Sequence, residues 1–191
     1  EDTLSLHDAL PICQFNTGFI AEHYAQGFRA EDVPHDDPMF LVALAAFVRR
    51  KARERAAGIT GQLQGHEVAH PEDLVIVVLG REGQNVHHAV KVTGFDAAAG
   101  RAVVEVGGRA YDIQSPTKLG EILMTGTCNG QAFSAQVERG PAKSPLALRV
   151  SHNGTQIDAL ALLPRAAELH KLMPYKAPPD LSKFLLSPMP G

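Results

Sequence analysis

The sequence predicts a mainly β fold with one long helix: an antiparallel barrel of about eight strands around a central apolar helix. Three observations carry that expectation. From Leu74 onward, short runs rich in β-branched residues alternate apolar and polar positions, and Gly-Gly or Asn-Gly pairs separate several of them. Met39–Val48 (MFLVALAAFV) is apolar on every face of a helix, so it has to be enclosed on every side. Apolar residues make up 45% of the 191-residue chain, enough for a real core.

Taken in order, residues 1–14 (EDTLSLHDALPICQ) show no clear period and no continuity with the segment after them. Residues 15–28 (FNTGFIAEHYAQGF) read as a turn and short helix, with Asn16 or Thr17 as cap. Residues 29–35 are acidic, contain Pro34 and read as a linker. The clearest helix spans 36–57. An Asp of the pair Asp36-Asp37 caps it, and Pro38 sits in the first turn, where a missing N–H is harmless. Its last turns, Arg49–Arg55, are charged and should emerge into solvent, and Gly58 should end it. Residues 58–73, with Gly61, Gly65 and Pro71, read as an irregular loop.

The barrel should occupy 74–162. The expected strands are 74–79, 85–93, 101–106, 109–113, 119–126, 131–138, 145–151 and 155–162. Parity places Val86, His88, Val90 and Val92 on one face, Phe133, Ala135 and Val137 inward, and Leu146, Leu148 and Val150 inward. Gly107-Gly108, Asn129-Gly130 and Asn153-Gly154 mark tight hairpins. A sequential meander of this kind closes into a barrel without exposed edges, and the helix is its natural filler. Residues 163–182 read as a connector, with a short helix opened by Pro164 and an extended tether held by Pro174, Pro178 and Pro179. Residues 183–191 (KFLLSPMPG) open a further apolar segment.

Composition narrows the function. A net charge of −3 argues against nucleic-acid binding, and no apolar run is long enough to span a bilayer. The two cysteines, Cys13 and Cys128, cannot make a disulfide framework. Candidate chemistry is sparse. His66 and His70 are four apart, but Gly65 and Pro71 argue against the helix turn a metal pair needs. His87 and His88 are adjacent on a strand and point to opposite faces. No base neighbours Cys128 in sequence, and neither phosphate-binding glycine motif occurs. The residues describe a scaffold or binding barrel without a visible catalyst. A stand-alone small-ligand barrel is the alternative. It requires an open cavity, which bulky Met39, Phe40, Leu41, Leu44 and Phe47 would exclude. A histidine metal site is a third reading.

Two stretches carry a specific resemblance. Residues 150–191, ending in SPMPG, resemble the connector and opening strand before the biotinyl domain in α subunits of propionyl-CoA carboxylases, a group of biotin-dependent acyl-CoA carboxylases. Residues 15–28 resemble the closing helix of the biotin carboxylase domain of the same subunits. The resemblance implies this organisation: the end of the biotin carboxylase domain and a linker (15–35), a BT domain (36–162), a connector (163–182) and the start of the biotinyl domain (183–191). Residues 1–12 depart from the family and read as an artefactual leader. The biotinyl lysine is expected beyond Gly191, and the ATP-grasp residues upstream of residue 1. The resemblance therefore implies no cofactor held by this stretch, with biotin and ATP/Mg belonging to the parent subunit. It implies three partners: a carboxyltransferase β subunit and the chain's own biotin carboxylase and biotinyl domains. The setting would be the cytoplasm of a bacterium or the mitochondrial matrix of a eukaryote. The loop after the long helix corresponds to a hook in the family's subunit interface. Leu63, His66 and Val68 are the candidate contacts there, with Arg49, Arg50 and Arg53 from the basic turn beside it.

Overall fold

A computed structural model describes Asp37–Tyr175, except residues 67, 69, 142, 143 and 145, together with Gly18 and Ala21. Those last two belong to a separate unit, Glu1–His35. The expected leader (1–14), the remainder of 15–36 and the segment 183–191 lie outside the described residues.

Helix α1 spans Pro38–Ala57. Asp37 is its N-cap: the side-chain Oδ1 accepts a hydrogen bond from the Met39 N–H at 3.0 Å, and Pro38 occupies the first position. Every residue from Phe40 to Val48 is buried. The reason is packing against β1 (Asp73–Val78), β2 (Val86–Asp96), β3 (Arg101–Val106), β4 (Arg109–Gln114), β7 (Leu148–His152) and β8 (Thr155–Leu162). Side chains of these strands, including Ile76, Val104, Ile113 and Val150, form one core cluster with the helix. Each large apolar side chain so enclosed contributes about 1.5–3 kcal/mol. Gly58 is the C-cap, but its φ of −76° is ordinary right-handed backbone, so the glycine's special freedom is not used. The helix end is closed instead by Gln62, whose Nε2 donates to the carbonyls of Ala56 and Ala57 at 3.2 and 2.6 Å.

Eight antiparallel strands close into a barrel in sequence order; β5 (Leu123–Cys128) and β6 (Gln131–Arg139) complete the set, and β1 pairs with β8. The three anticipated hairpins form. Val106 faces Arg109 across Gly107-Gly108, Cys128 faces Gln131 across Asn129-Gly130, and His152 faces Thr155 across Asn153-Gly154. Both central residues of each have positive φ, as a type I′ turn demands.

Two strand starts differ from expectation. Residues 119–122 are not strand, because a turn from Lys118 to Glu121 precedes β5. Residues 146 and 147, expected in the strand 145–151, are not strand either, and residue 145 lies outside the described residues. Ala147 N–H donates to Ser144 O, which breaks the alternation, and Leu146 is 86% exposed rather than inward. Val86 keeps its parity but sits at the strand end, where it is 54% exposed. The β4–β5 pairing is short, limited to Ile113 with Cys128 and Gln114 with Thr127. Gly126 is required there: a Cβ on it would fall 2.1 Å from the Gln114 carbonyl oxygen. After the barrel, α2 (Pro164–Lys171) packs on β1 and β8, burying Ala167.

Candidate partner interface

The last turns of α1 and the loop after them bring the candidate interface residues to one end of the helix. Gln62 organises the loop from both ends of its amide. Its Nε2 holds the helix carbonyls, and its Oε1 accepts the Val68 N–H at 3.2 Å. A turn closed by His66 N–H donating to Leu63 O at 3.0 Å projects the tip outward. Leu63 at its tip is 76% exposed and Ile59 is 63% exposed. His66 is exposed as well, whereas Val68 is half-buried. His70 turns back toward the helix, with Nε2 3.8 Å from Glu54 Oε2.

The basic turn is less open than the sequence predicts. Arg49 and Arg55 are exposed, but Arg50, Lys51 and Arg53 are half-buried. Arg50 pairs with Glu54 at 2.6 Å one turn on, and its guanidinium lies 4.2 Å over the Phe95 ring. Lys51 reaches across to the strand-end segment after β4. Its Nζ donates to Ser115 O at 2.9 Å and Thr117 O at 2.5 Å. The physical reason is reach: long basic side chains on a helix lay their apolar stems on the barrel rim and satisfy carbonyls that the irregular 115–117 backbone leaves without strand partners. Burial pulls the Lys51 ammonium below its usual range, against the attraction of Glu121. Arg49 is lowered in the same direction, first by partial desolvation among its neighbours and then by the charge of Arg53, although the residue as a whole is exposed. Phe95, Ser115, Thr117 and Gln62 escape the sequence reading. Phe95 lies beyond the expected strand 85–93 and on the parity of His87, Ala89 and Lys91; a register shift between Thr93 and Asp96, which has no sequence signature, interrupts the alternation there.

At the opposite end of α1, about 30 Å away for a helix of this length, Asp37 does a second job beyond capping. Its Oδ2 accepts from Tyr111 Oη at 2.7 Å and from Arg109 Nη1 at 3.1 Å, tying the helix start to β4. Burial opposes the charge on Asp37, but the hydrogen bonds from Tyr111, Met39 and Arg109 and the charge of Arg109 outweigh it and hold the carboxyl below its ordinary range. Burial, and then the Asp37 carboxylate, push Tyr111 up to about 12.

The other reactive side chains assemble nothing further among the described residues. Burial, followed by the charges of Asp112 and Asp37, pushes the Cys128 thiol to about 11, so it stays protonated at neutral pH and is a poor nucleophile. His87 stands against His170 of α2 with ring centres 5.8 Å apart, and burial, Lys171 and His170 lower its pKa. Leu41, Leu44 and Phe47 have no solvent exposure and belong to the core cluster with the strands.

Residues 41–176 match the propionyl-coenzyme A carboxylase BT domain. The chain belongs to that family. Its relatives include the propionyl-CoA carboxylase alpha chain of Ruegeria pomeroyi, 31% identical over 175 residues, which cover 92% of this chain and 24% of the relative. The mitochondrial alpha chain of Caenorhabditis briggsae is 28% identical over 181 residues, with 92% and 24% covered. That of Sus scrofa is 25% identical over 182 residues, with 92% and 23% covered. This BT-domain chain thus spans about a quarter of the length of the curated relatives it matches. Among the described residues, no helix is long and apolar enough to cross a membrane.

Proposed function

We propose that this chain is a non-catalytic docking segment of a biotin-dependent acyl-CoA carboxylase α subunit, and that it holds that subunit against a carboxyltransferase β subunit. The parent enzyme would couple ATP hydrolysis to carboxylation of biotin by bicarbonate and pass the carboxyl group to propionyl-CoA. Biotin, and ATP with magnesium, would be held by other parts of the parent subunit. Residues 36–162 would be the docking domain and 163–182 the connector toward the biotinyl domain. The setting would be the cytoplasm if the chain is bacterial and the mitochondrial matrix if it is eukaryotic, the latter in keeping with the relatives named as mitochondrial.

The observation that carries this reading is the match to the BT family over residues 41–176. The structure supports it physically. Phe40–Val48 of the helix are buried in contact with six strands of the barrel, while the segment after that helix presents Ile59 and Leu63 to solvent. Two large exposed apolar side chains, Ile59 at the helix end and Leu63 at the tip of the braced loop, resemble an anchor awaiting a pocket, because such residues concentrate binding energy when a partner desolvates them. Leu63, His66 and Val68 would supply the loop contacts, with Arg49, Arg50 and Arg53 beside them.

The test is complex formation with the carboxyltransferase β subunit of a propionyl-CoA carboxylase, monitored by size-exclusion chromatography with light scattering. Wild-type chain should co-elute. Leu63→Asp should abolish co-elution without changing the melting transition, since the side chain touches little of its own fold. A folded wild-type chain that never co-elutes would overturn the docking role.

A further inference from the structure

The charge on this chain is segregated. The whole sequence carries −3, yet five of the seven residues Arg49–Arg55 are basic and one, Glu54, is acidic. The structure gives that excess a shape. A groove of about 530 Å³ runs beside the end of α1, with Lys51 and Arg55 on one wall, Lys118 on the other, and Phe95, Ala97 and Leu119 among its lining. Its apolar side is held in place, because Arg50 stacks on Phe95. One of its cations, Lys51, is held in place too. Two of the three Lys51 ammonium protons are spent on Ser115 O and Thr117 O, which anchors the charge at the groove and leaves one donor unassigned. Arg55 and Lys118 are both exposed.

A helix C-terminus normally carries partial negative charge that would offset such cations. Here the Gln62 amide covers the carbonyls of Ala56 and Ala57, which blunts that end. The only carboxylate lining the groove among the described residues, Glu54, is engaged by Arg50 and faces His70.

The geometry points to this groove as a receptor for an acidic side chain, flanked by an apolar residue, on a segment of the carboxyltransferase subunit. This inference rests on the docking role proposed above and adds a second, charged contact to the apolar loop tip. The groove is continuous with that loop: Glu54 lines it, and His70, in the same loop that carries Leu63, reaches Glu54. One carboxylate fits better than a nucleic-acid strand. A polyanion needs a track of phosphate contacts, whereas these cations are confined to one groove that already contains a glutamate. A carboxylate can take the Arg55 fork and the Lys118 ammonium, while its apolar neighbour covers Phe95 and Leu119.

Binding of the full chain to the immobilised β subunit, measured at low and moderate salt, tests this. The double variant Arg55→Glu with Lys118→Glu should bind at least about tenfold more weakly than wild type at low salt, and the gap should narrow as salt screens the pair. Arg55→Gln with Lys118→Gln should lose less. Arg165→Glu with Lys171→Glu, both exposed on α2, makes the same change in net charge away from the groove and should stay within about twofold. Melting curves confirm that each variant folds. If wild type binds and the double reversal binds equally well, this inference is overturned while docking stands. If wild type does not bind, the docking role fails and takes this inference with it. Displacement of the β subunit by free coenzyme A, lost in the double reversal, would assign the groove to phosphate and overturn the carboxylate.

Discussion

Asp37 shows how much one side chain can carry in this fold. It caps α1 through Oδ1 and pins the helix to β4 through Oδ2 on Tyr111 and Arg109. The capping half is readable from Asp before Pro. The pinning half is not, because it depends on β4 returning to the helix start 74 residues later. The two jobs can be separated. Asp37→Asn keeps a good cap and removes the charge, whereas Asp37→Ala removes both, at a cost of about 1 kcal/mol for the cap alone and more for the unpaired Tyr111 hydroxyl. The charge also predicts an acid limb. A carboxyl held below its ordinary value of 3.8 contributes stability that is present above that value and lost as pH falls through the lower folded value. Asp112, lowered chiefly by its hydrogen bond from Arg101, adds to the same limb. Chemical denaturation between pH 2 and 6 should therefore show a shallower fall for Asp37→Asn than for wild type. Gly126 is the second residue with a sharp expectation. A methyl group there meets the Gln114 carbonyl at 2.1 Å, so Gly126→Ala should destabilise by about 2–4 kcal/mol in urea unfolding, among the largest effects of any glycine change on the strands.

At the scale of elements, the hairpins and the helix were legible because their signals are local. Asn-Gly and Gly-Gly pairs satisfy a backbone demand that few other dipeptides meet, and all three form the expected turns. An apolar stretch without a polar face has only one stable place to go. What stayed hidden are features set by tertiary geometry. Strands β5 and β7 begin late because turns at Lys118–Glu121 and Ser144–Ala147 absorb residues whose alternation alone reads as strand. The basic turn folds half against the barrel because its partners are backbone carbonyls at 115 and 117, which carry no sequence signature. The loop candidates Leu63 and His66 are exposed, as an irregular glycine-flanked loop suggests, but Gln62, which braces them, is indistinguishable in the sequence from any polar loop residue. The buried helix gives this scale its prediction. Leu44 has no exposure and sits mid-helix in the core cluster. Leu44→Ala should cost about 2–5 kcal/mol by urea denaturation, with no change in far-UV helix signal at low denaturant.

For the barrel unit as a whole, closure makes the first and last elements interdependent. Strand β1 pairs with β8, α2 packs on both, and α1 at the start of the unit packs against six strands that include both of them. No strand can leave without exposing the same core, since Ile76, Val104, Ile113 and Val150 belong to one cluster with the helix. Local openings should then be confined to the periphery, at the loop 58–72 and at the turns around 81–83 and 144–147. Native-state hydrogen exchange tests this directly. Amides of Leu41–Phe47, of β3 and of β8 should exchange through a common opening, with free energies within about 1 kcal/mol of one another and of the global unfolding value. Amides of Leu63–His66 should exchange orders of magnitude faster. Should α1 amides instead exchange well below the β3 value, the helix would be leaving an intact barrel. The interior would then be accessible in a minor state, and the small-ligand alternative would regain the cavity that the closed structure denies it.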